Sequence, residues 1–122
     1  MSKKILIIDD SSMIRLVVSK TAKKAGYIVV SASDGQEGLN ELQKHDDIDL
    51  ILTDLNMPIM DGMAMIKIIK EDTKLKYLPI VILTTEYEEK LKDQARKLGV
   101  KAWMVKPFNE ETFLKAIKKL IG

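Results

Sequence analysis

Cysteine is absent from the 122 residues, which removes disulfides, thiolate zinc sites and a thiol nucleophile, and fits a reducing interior. Histidine occurs once, as His45, so no His-ligated metal site can be built. Neither sign of charge is in excess. The 20 Lys and Arg against 18 Asp and Glu leave a formal net charge of +2, too little to drive binding to a phosphate backbone by itself, and nucleic acid is not an expected partner. Long apolar runs are missing as well: Ile5-Leu6-Ile7-Ile8 meets two acids and is too short for a signal-peptide core or a membrane span. The expectation is a cytoplasmic protein with no membrane partner. No Pro/Gly/Ser-rich linker, low-complexity tract or repeat divides the sequence, so residues 1–122 are expected to form a single domain. What is present, 46% hydrophobic and 31% charged residues, is ordinary globular composition with enough apolar side chains for a sizeable core.

Those apolar residues alternate between two periodicities. Short continuous runs at Ile5 to Ile8, Ile28 to Val30, Ile48 to Leu52, Ile80 to Leu83 and Val100 to Val105 predict five strands buried on both faces. Helical spacing lies between them: Ile14, Val17, Val18, Ala22 and Ala25; Leu39 and Leu42; Met63, Ile66 and Ile69; Tyr87, Leu91, Ala95 and Leu98; Phe113, Ile117 and Leu120. Met57, Met60, Met63 and Met65 read as core filling around the third helix. Strict alternation with short links implies parallel strands, right-handed crossovers and helices on both faces, an α/β doubly wound fold. For five strands, 2-1-3-4-5 is the common order.

Helix ends are marked by their chemistry. Asp34 and Glu37 have capping-box spacing, Asn109 can cap the last helix ahead of Glu110 and Glu111, and Glu86, Glu88 and Glu89 are expected to open the fourth helix. Gly26 and Gly99 fall where the first and fourth helices should stop, because glycine accepts the left-handed cap conformation. Pro79 suits a strand start, and Gly62 a turn after Pro58.

In a doubly wound sheet the ligand crevice lies beyond the carboxyl ends of the strands. Asp9 and Asp10 follow the first strand, Thr53 and Asp54 the third, Thr84 and Thr85 the fourth, and Lys106 and Pro107 the fifth. If the order is 2-1-3-4-5, three acids crowd at the switch point, where their mutual repulsion calls for a cation or shifted pKa values. Mg²⁺ answers this through oxygen ligands and retained waters, and with Lys106 it balances the formal charge of the acids. A carboxylate there could attack phosphorus and form an acyl phosphate. Asp54 is the candidate, standing apart from the adjacent pair Asp9-Asp10; spacing leaves that choice open, and acids at strand ends can also simply cap helices.

The stretches Ile7-Ile8-Asp9-Asp10-Ser11, Leu52-Thr53-Asp54-Leu55-Asn56-Met57-Pro58, Met60-Asp61-Gly62, Leu83-Thr84-Thr85 and Val105-Lys106-Pro107-Phe108 together resemble the receiver domain of two-component response regulators. The resemblance spans essentially the whole sequence. Since nothing follows the last expected helix, it is to the single-domain chemotaxis type, CheY-like, with a flavodoxin-like fold. It implies that Asp54 is the phosphoacceptor for a histidine kinase and that Asp10, Asp54 and the Asn56 carbonyl bind Mg²⁺, with Asp9 acting through water. It also implies that Lys106, on a cis bond to Pro107, pairs with phosphoryl oxygens, and that Thr84 swings toward the phosphoryl group. Glu86 and Asn56 would tune hydrolysis, and Thr85 lies beside them in the switch region. Trp103 occupies the switch-aromatic position, where Tyr or Phe is more usual, and an indole is bulkier to rotate. The implied output is a reshaped face of the fourth helix, fifth strand and fifth helix, controlling a flagellar motor switch protein or another output protein, with a phosphatase possible and a monomer expected. Such a protein is not an enzyme beyond promoting its own phosphorylation and dephosphorylation.

Two alternatives share these motifs. A phosphorelay intermediate or phosphate sink would use the same residues without a motor output. An aspartyl-nucleophile phosphohydrolase would need a second Asp two positions after the nucleophile, where this sequence has Asn56.

Overall fold

The computed structural model describes residues 2–122; Met1, the first position of the expected single domain, lies outside the described residues. Strands and helices alternate in the order β1 (Lys4–Ile8), α1 (Ser12–Lys24), β2 (Ile28–Ala32), α2 (Gly35–Lys44), β3 (Leu50–Thr53), α3 (Gly62–Glu71), β4 (Ile80–Thr84), α4 (Glu89–Lys97), β5 (Ala102–Val105) and α5 (Glu110–Ile121). The sheet is parallel throughout in the order β2-β1-β3-β4-β5, as expected for the doubly wound class.

Strand side chains alternate between two helical layers, which is why their sequences read as unbroken apolar runs. Ile5, Ile7, Leu50, Leu52, Val81 and Leu83 join Val18 and Ala22 of α1 and Phe113 and Ile117 of α5 in one core. Leu6, Ile8, Ile51, Ile80 and Ile82 face Leu42, Met65, Ile66, Ile69 and Ala95, from α2, α3 and α4. The central strands β3 and β4 are buried at every residue, whereas the edge strands β2 and β5 are only partly covered. This explains the weaker apolar signal at the edges. Met65 is fully buried, and Met57, Met60 and Met63 pack against the same core as filling.

Four helices begin on a side-chain cap. Ser11, Asp34, Asp61 and Asn109 each accept a hydrogen bond from the backbone N–H three residues on. Gly26 and Gly99 have φ of 97° and 83° just past α1 and α4, as their cap positions required.

Several boundaries differ from expectation. The third strand starts at Leu50 rather than Ile48, and the fifth at Ala102 rather than Val100. The reciprocal half of the Asp34 capping box is not made, because the Glu37 carboxylate accepts from the Ser33 hydroxyl at 2.7 Å. The fourth helix starts only at Glu89: Glu88 is its N-cap residue without a side-chain bond, Glu86 lies in the preceding loop, and Tyr87 is 76% exposed rather than on the apolar face. Three acids in four residues resemble a helix start, yet Glu86 is held by the hydrogen bonds described below and the helix begins only after Glu88, whose backbone is extended.

Candidate functional site

The backbone ladder itself delivers the site. Just past the strands, Asp9 N–H donates to the Ala32 carbonyl at 3.1 Å, Asp54 N–H to Ile8 at 3.0 Å and Lys106 N–H to Thr84 at 2.8 Å. The residues that follow β1, β3 and β5 are thus held by the sheet while their side chains stand on its carboxyl rim. Because β1 and β3 are neighbours, the acids after them meet, and Asp9, Asp10 and Asp54 each offer a carboxylate oxygen within 4.8 Å of the others.

Asp9 and Asp54 are almost fully buried and individually fastened. Asp54 Oδ1 accepts from Leu55 N–H at 2.6 Å, and Asp9 Oδ1 from Ser11 N–H at 2.9 Å. The Lys106 ammonium spans the pair, 2.9 Å from Oδ2 of each. Burial opposes the charge on Lys106, but its hydrogen bonds to Asp54 and Asp9 and their negative charge outweigh burial and hold the amine above the usual lysine range. A pKa raised on folding stabilises the fold at neutral pH, and that contribution fades only as alkaline pH passes the raised value. Asp10, by contrast, is exposed at the mouth of the nest. The donor set is entirely oxygen, from carboxylates, which fits a hard divalent ion such as Mg²⁺ and not a soft metal.

A second group of residues closes the rim beside β4. The Thr84 hydroxyl is buried and accepts from Glu86 N–H at 3.3 Å. The Glu86 carboxylate accepts from Asn56 Nδ2 at 2.8 Å, joining the loops after β3 and β4. The Glu86 carbonyl accepts from Trp103 Nε1 at 3.1 Å. The half-buried indole of Trp103 also packs on the core shared by α2, α3 and α4. The Lys106–Pro107 bond is cis. Thr85 is exposed and stands outside the hydrogen bonds that join its neighbours. His45 caps the far end of α2, 3.5 Å from Glu41, well away in sequence from every strand terminus that builds the nest.

Sequence reasoning passed over three residues at this rim. Ser11 holds Asp9 as well as starting α1. Ile59, 84% exposed, has φ 68°, a backbone strain for a β-branched residue that no local signal announced. Arg15 reaches from α1 to the Asp9 carbonyl at 2.6 Å; its signal was a cation at the positive end of a helix dipole, where acids are favoured.

Comparison with known proteins gives a consistent result. The family model described as response regulator receiver domain matches residues 5–118. Chemotaxis protein CheY1 of Helicobacter pylori is 33% identical over 120 residues, covering 98% of this chain and 97% of that protein. Chemotaxis protein CheY-3 of Vibrio cholerae is 36% identical over 118 residues, covering 96% and 90%. Among solved structures, Vibrio cholerae CheY4 superposes with a TM-score of 0.92 at 40% identity, covering 99% of this chain and all of that one.

Proposed function

The chain belongs to the response regulator receiver domain family, and from that premise we propose that it is a cytoplasmic regulator that takes a phosphoryl group onto Asp54 from a histidine kinase and thereby controls the flagellar motor. The observation that carries this reading is the Asp54 carboxylate, buried at the rim, 2.9 Å from Lys106 and grouped with Asp9 and Asp10. An oxygen of Asp54 attacks phosphorus, the N–P bond of phosphohistidine breaks, and the imidazole leaves with a proton, so a new acyl phosphate replaces the phosphoramidate. Lys106 stays beside the group and meets its developing negative charge. Asp10, Asp54 and the Asn56 carbonyl would hold Mg²⁺ directly, with Asp9 acting through water. The bound ion supplies neutralising charge for the phosphoryl oxygens.

Thr84 and Trp103 carry the message outward. The Thr84 hydroxyl and Trp103 Nε1 bond to the two sides of Glu86, its N–H and its carbonyl. A phosphoryl oxygen that recruits the Thr84 hydroxyl removes the acceptor of Glu86 N–H, so the loop before α4 shifts and Trp103 follows, reshaping the α4-β5-α5 face. Trp103 is the single tryptophan, which makes the step observable. Its emission is expected to change when beryllofluoride, a phosphoryl mimic, saturates the protein with Mg²⁺. An unchanged spectrum at saturation would remove the coupling.

The deciding experiment is a pull-down of a flagellar motor switch protein with and without the mimic. Retention only with the mimic is the expected result. Mimic binding without retention would assign the chain to a relay or a phosphate sink instead. Multiple turnover on small phosphate esters would mark a phosphohydrolase, a reading that Asn56 disfavours because it places no carboxylic acid two residues after Asp54.

A further inference from the structure

Asp9 and Asp10 share a peptide bond, and the carbonyl of that peptide is the Asp9 carbonyl. The chain leaves β1 after Ile8 and enters α1 at Ser12, so that oxygen lies just past the end of the strand. Its hydrogen bond comes from Arg15, the fourth residue of α1, whose guanidinium donates from Nη1 at 2.6 Å. Long helical side chains lean toward the helix N-terminus, which gives Arg15 this reach. The helix dipole opposes a cation so close to the start of a helix, and α1 has no acid in its first turn to offset it. The contact also differs in kind from those around it. Asp9 is fixed through its side chain by Ser11 and Lys106, and Asp54 by Leu55 and Lys106. Asp10 is exposed and stands outside these bonds, so what its surroundings hold is the peptide it hangs from, which fixes where its side chain starts.

We propose that Arg15 is a positioning residue for the metal nest: it pins the Asp9–Asp10 peptide so that the Asp10 carboxylate stays where Asp9 and Asp54 can share a divalent cation with it. This rests on the Mg²⁺ site of the function proposed above. A neighbouring cation could instead act through its charge alone, and the two roles predict opposite signs. Removing a positive charge next to a divalent site strengthens cation binding by Coulomb attraction. Removing a support that orients a ligand weakens it, typically by a factor of ten or more.

The test measures Mn²⁺ uptake by the electron paramagnetic resonance of the free aqua ion, with Mg²⁺ as competitor, on the wild type, Arg15→Ala, Arg15→Lys and, as a control on the same helix, Lys20→Ala. Arg15→Ala is expected to weaken both ions roughly tenfold, with partial recovery in Arg15→Lys and no change in Lys20→Ala. Circular dichroism confirms that each variant is folded; if Arg15→Ala is not, Arg15→Gln, neutral and closer in shape, replaces it with the same expectation. Unchanged or tighter binding in the neutral variant overturns the positioning role and leaves the function standing. A wild type that takes up neither ion overturns the metal site itself.

Discussion

Asp54→Asn is expected to abolish phosphoryl labelling by a phosphorylated histidine kinase or by a small acyl phosphate, with no alkali-labile label above background. Asparagine keeps the shape of the side chain and its acceptor for Leu55 N–H, now 2.6 Å away, but its amide cannot act as an oxygen nucleophile toward phosphorus. The loss is chemical and not structural, and stability separates the two. Asp54 is one of three acids grouped within 4.8 Å, so neutralising it relieves like-charge repulsion, while Lys106 keeps its partner Asp9 at 2.9 Å. The melting temperature of the variant is therefore expected not to fall. Divalent affinity is expected to drop, since one of the oxygen ligands has lost its charge. Label that survives in a folded Asp54→Asn protein would move the nucleophile to another acid, and the exposed Asp10 would be the first place to look.

The central strands and the acids that follow them were plain in the sequence for one reason. A parallel strand covered on both faces needs an unbroken apolar run, so Ile5 to Ile8 and Ile80 to Leu83 stand out, and the first polar residue after each run marks the rim. That rule places Asp9, Thr84 and Lys106 directly, and Asp54 one position beyond the first polar residue, Thr53. The boundaries that slipped are those set by tertiary contacts. Ile48 is apolar and buried, and so reads as strand, but ladder pairing of β3 with β1 runs from Leu50. Glu86 reads as a helix start, but Asn56, thirty residues earlier in the chain, holds its carboxylate, and Trp103, seventeen residues later, holds its carbonyl. No window along the sequence contains both partners. Arg15 was missed for a related reason: periodicity sorts residues into buried and exposed faces, and a half-buried cation that serves a backbone carbonyl belongs to neither.

Gly62→Ala is expected to be the most damaging single substitution at the site that leaves every charged residue in place. Gly62 opens α3 directly after the Asp61 cap, and its N–H donates to the Leu55 carbonyl at 2.9 Å. A Cβ added there would lie 2.2 Å from the Asp54 carbonyl oxygen and 2.9 Å from Leu55 Cα. Both atoms are backbone, so no rotamer change can relieve the clash; either the helix start or the β3–α3 loop must move. Overpacking of this kind costs about 3 kcal/mol, which for a domain of this length lowers the melting temperature by roughly 10 °C. Gly26→Ala is the matching control. That glycine has φ 97° and open space around its Cβ direction, so its substitution carries only the left-handed backbone penalty of about 1 kcal/mol. The two glycines differ in function as well as in cost. Relief of the clash at Gly62 displaces the peptide that carries Asp54, and with it the carboxylate that Lys106 and the acid nest hold in place, so Gly62→Ala should lose divalent affinity and phosphoryl uptake together, whereas Gly26→Ala should keep both. Equal melting temperatures for the two variants would show that the loop yields freely, and that the tight approach of α3 to Asp54 is not what fixes the phosphoacceptor.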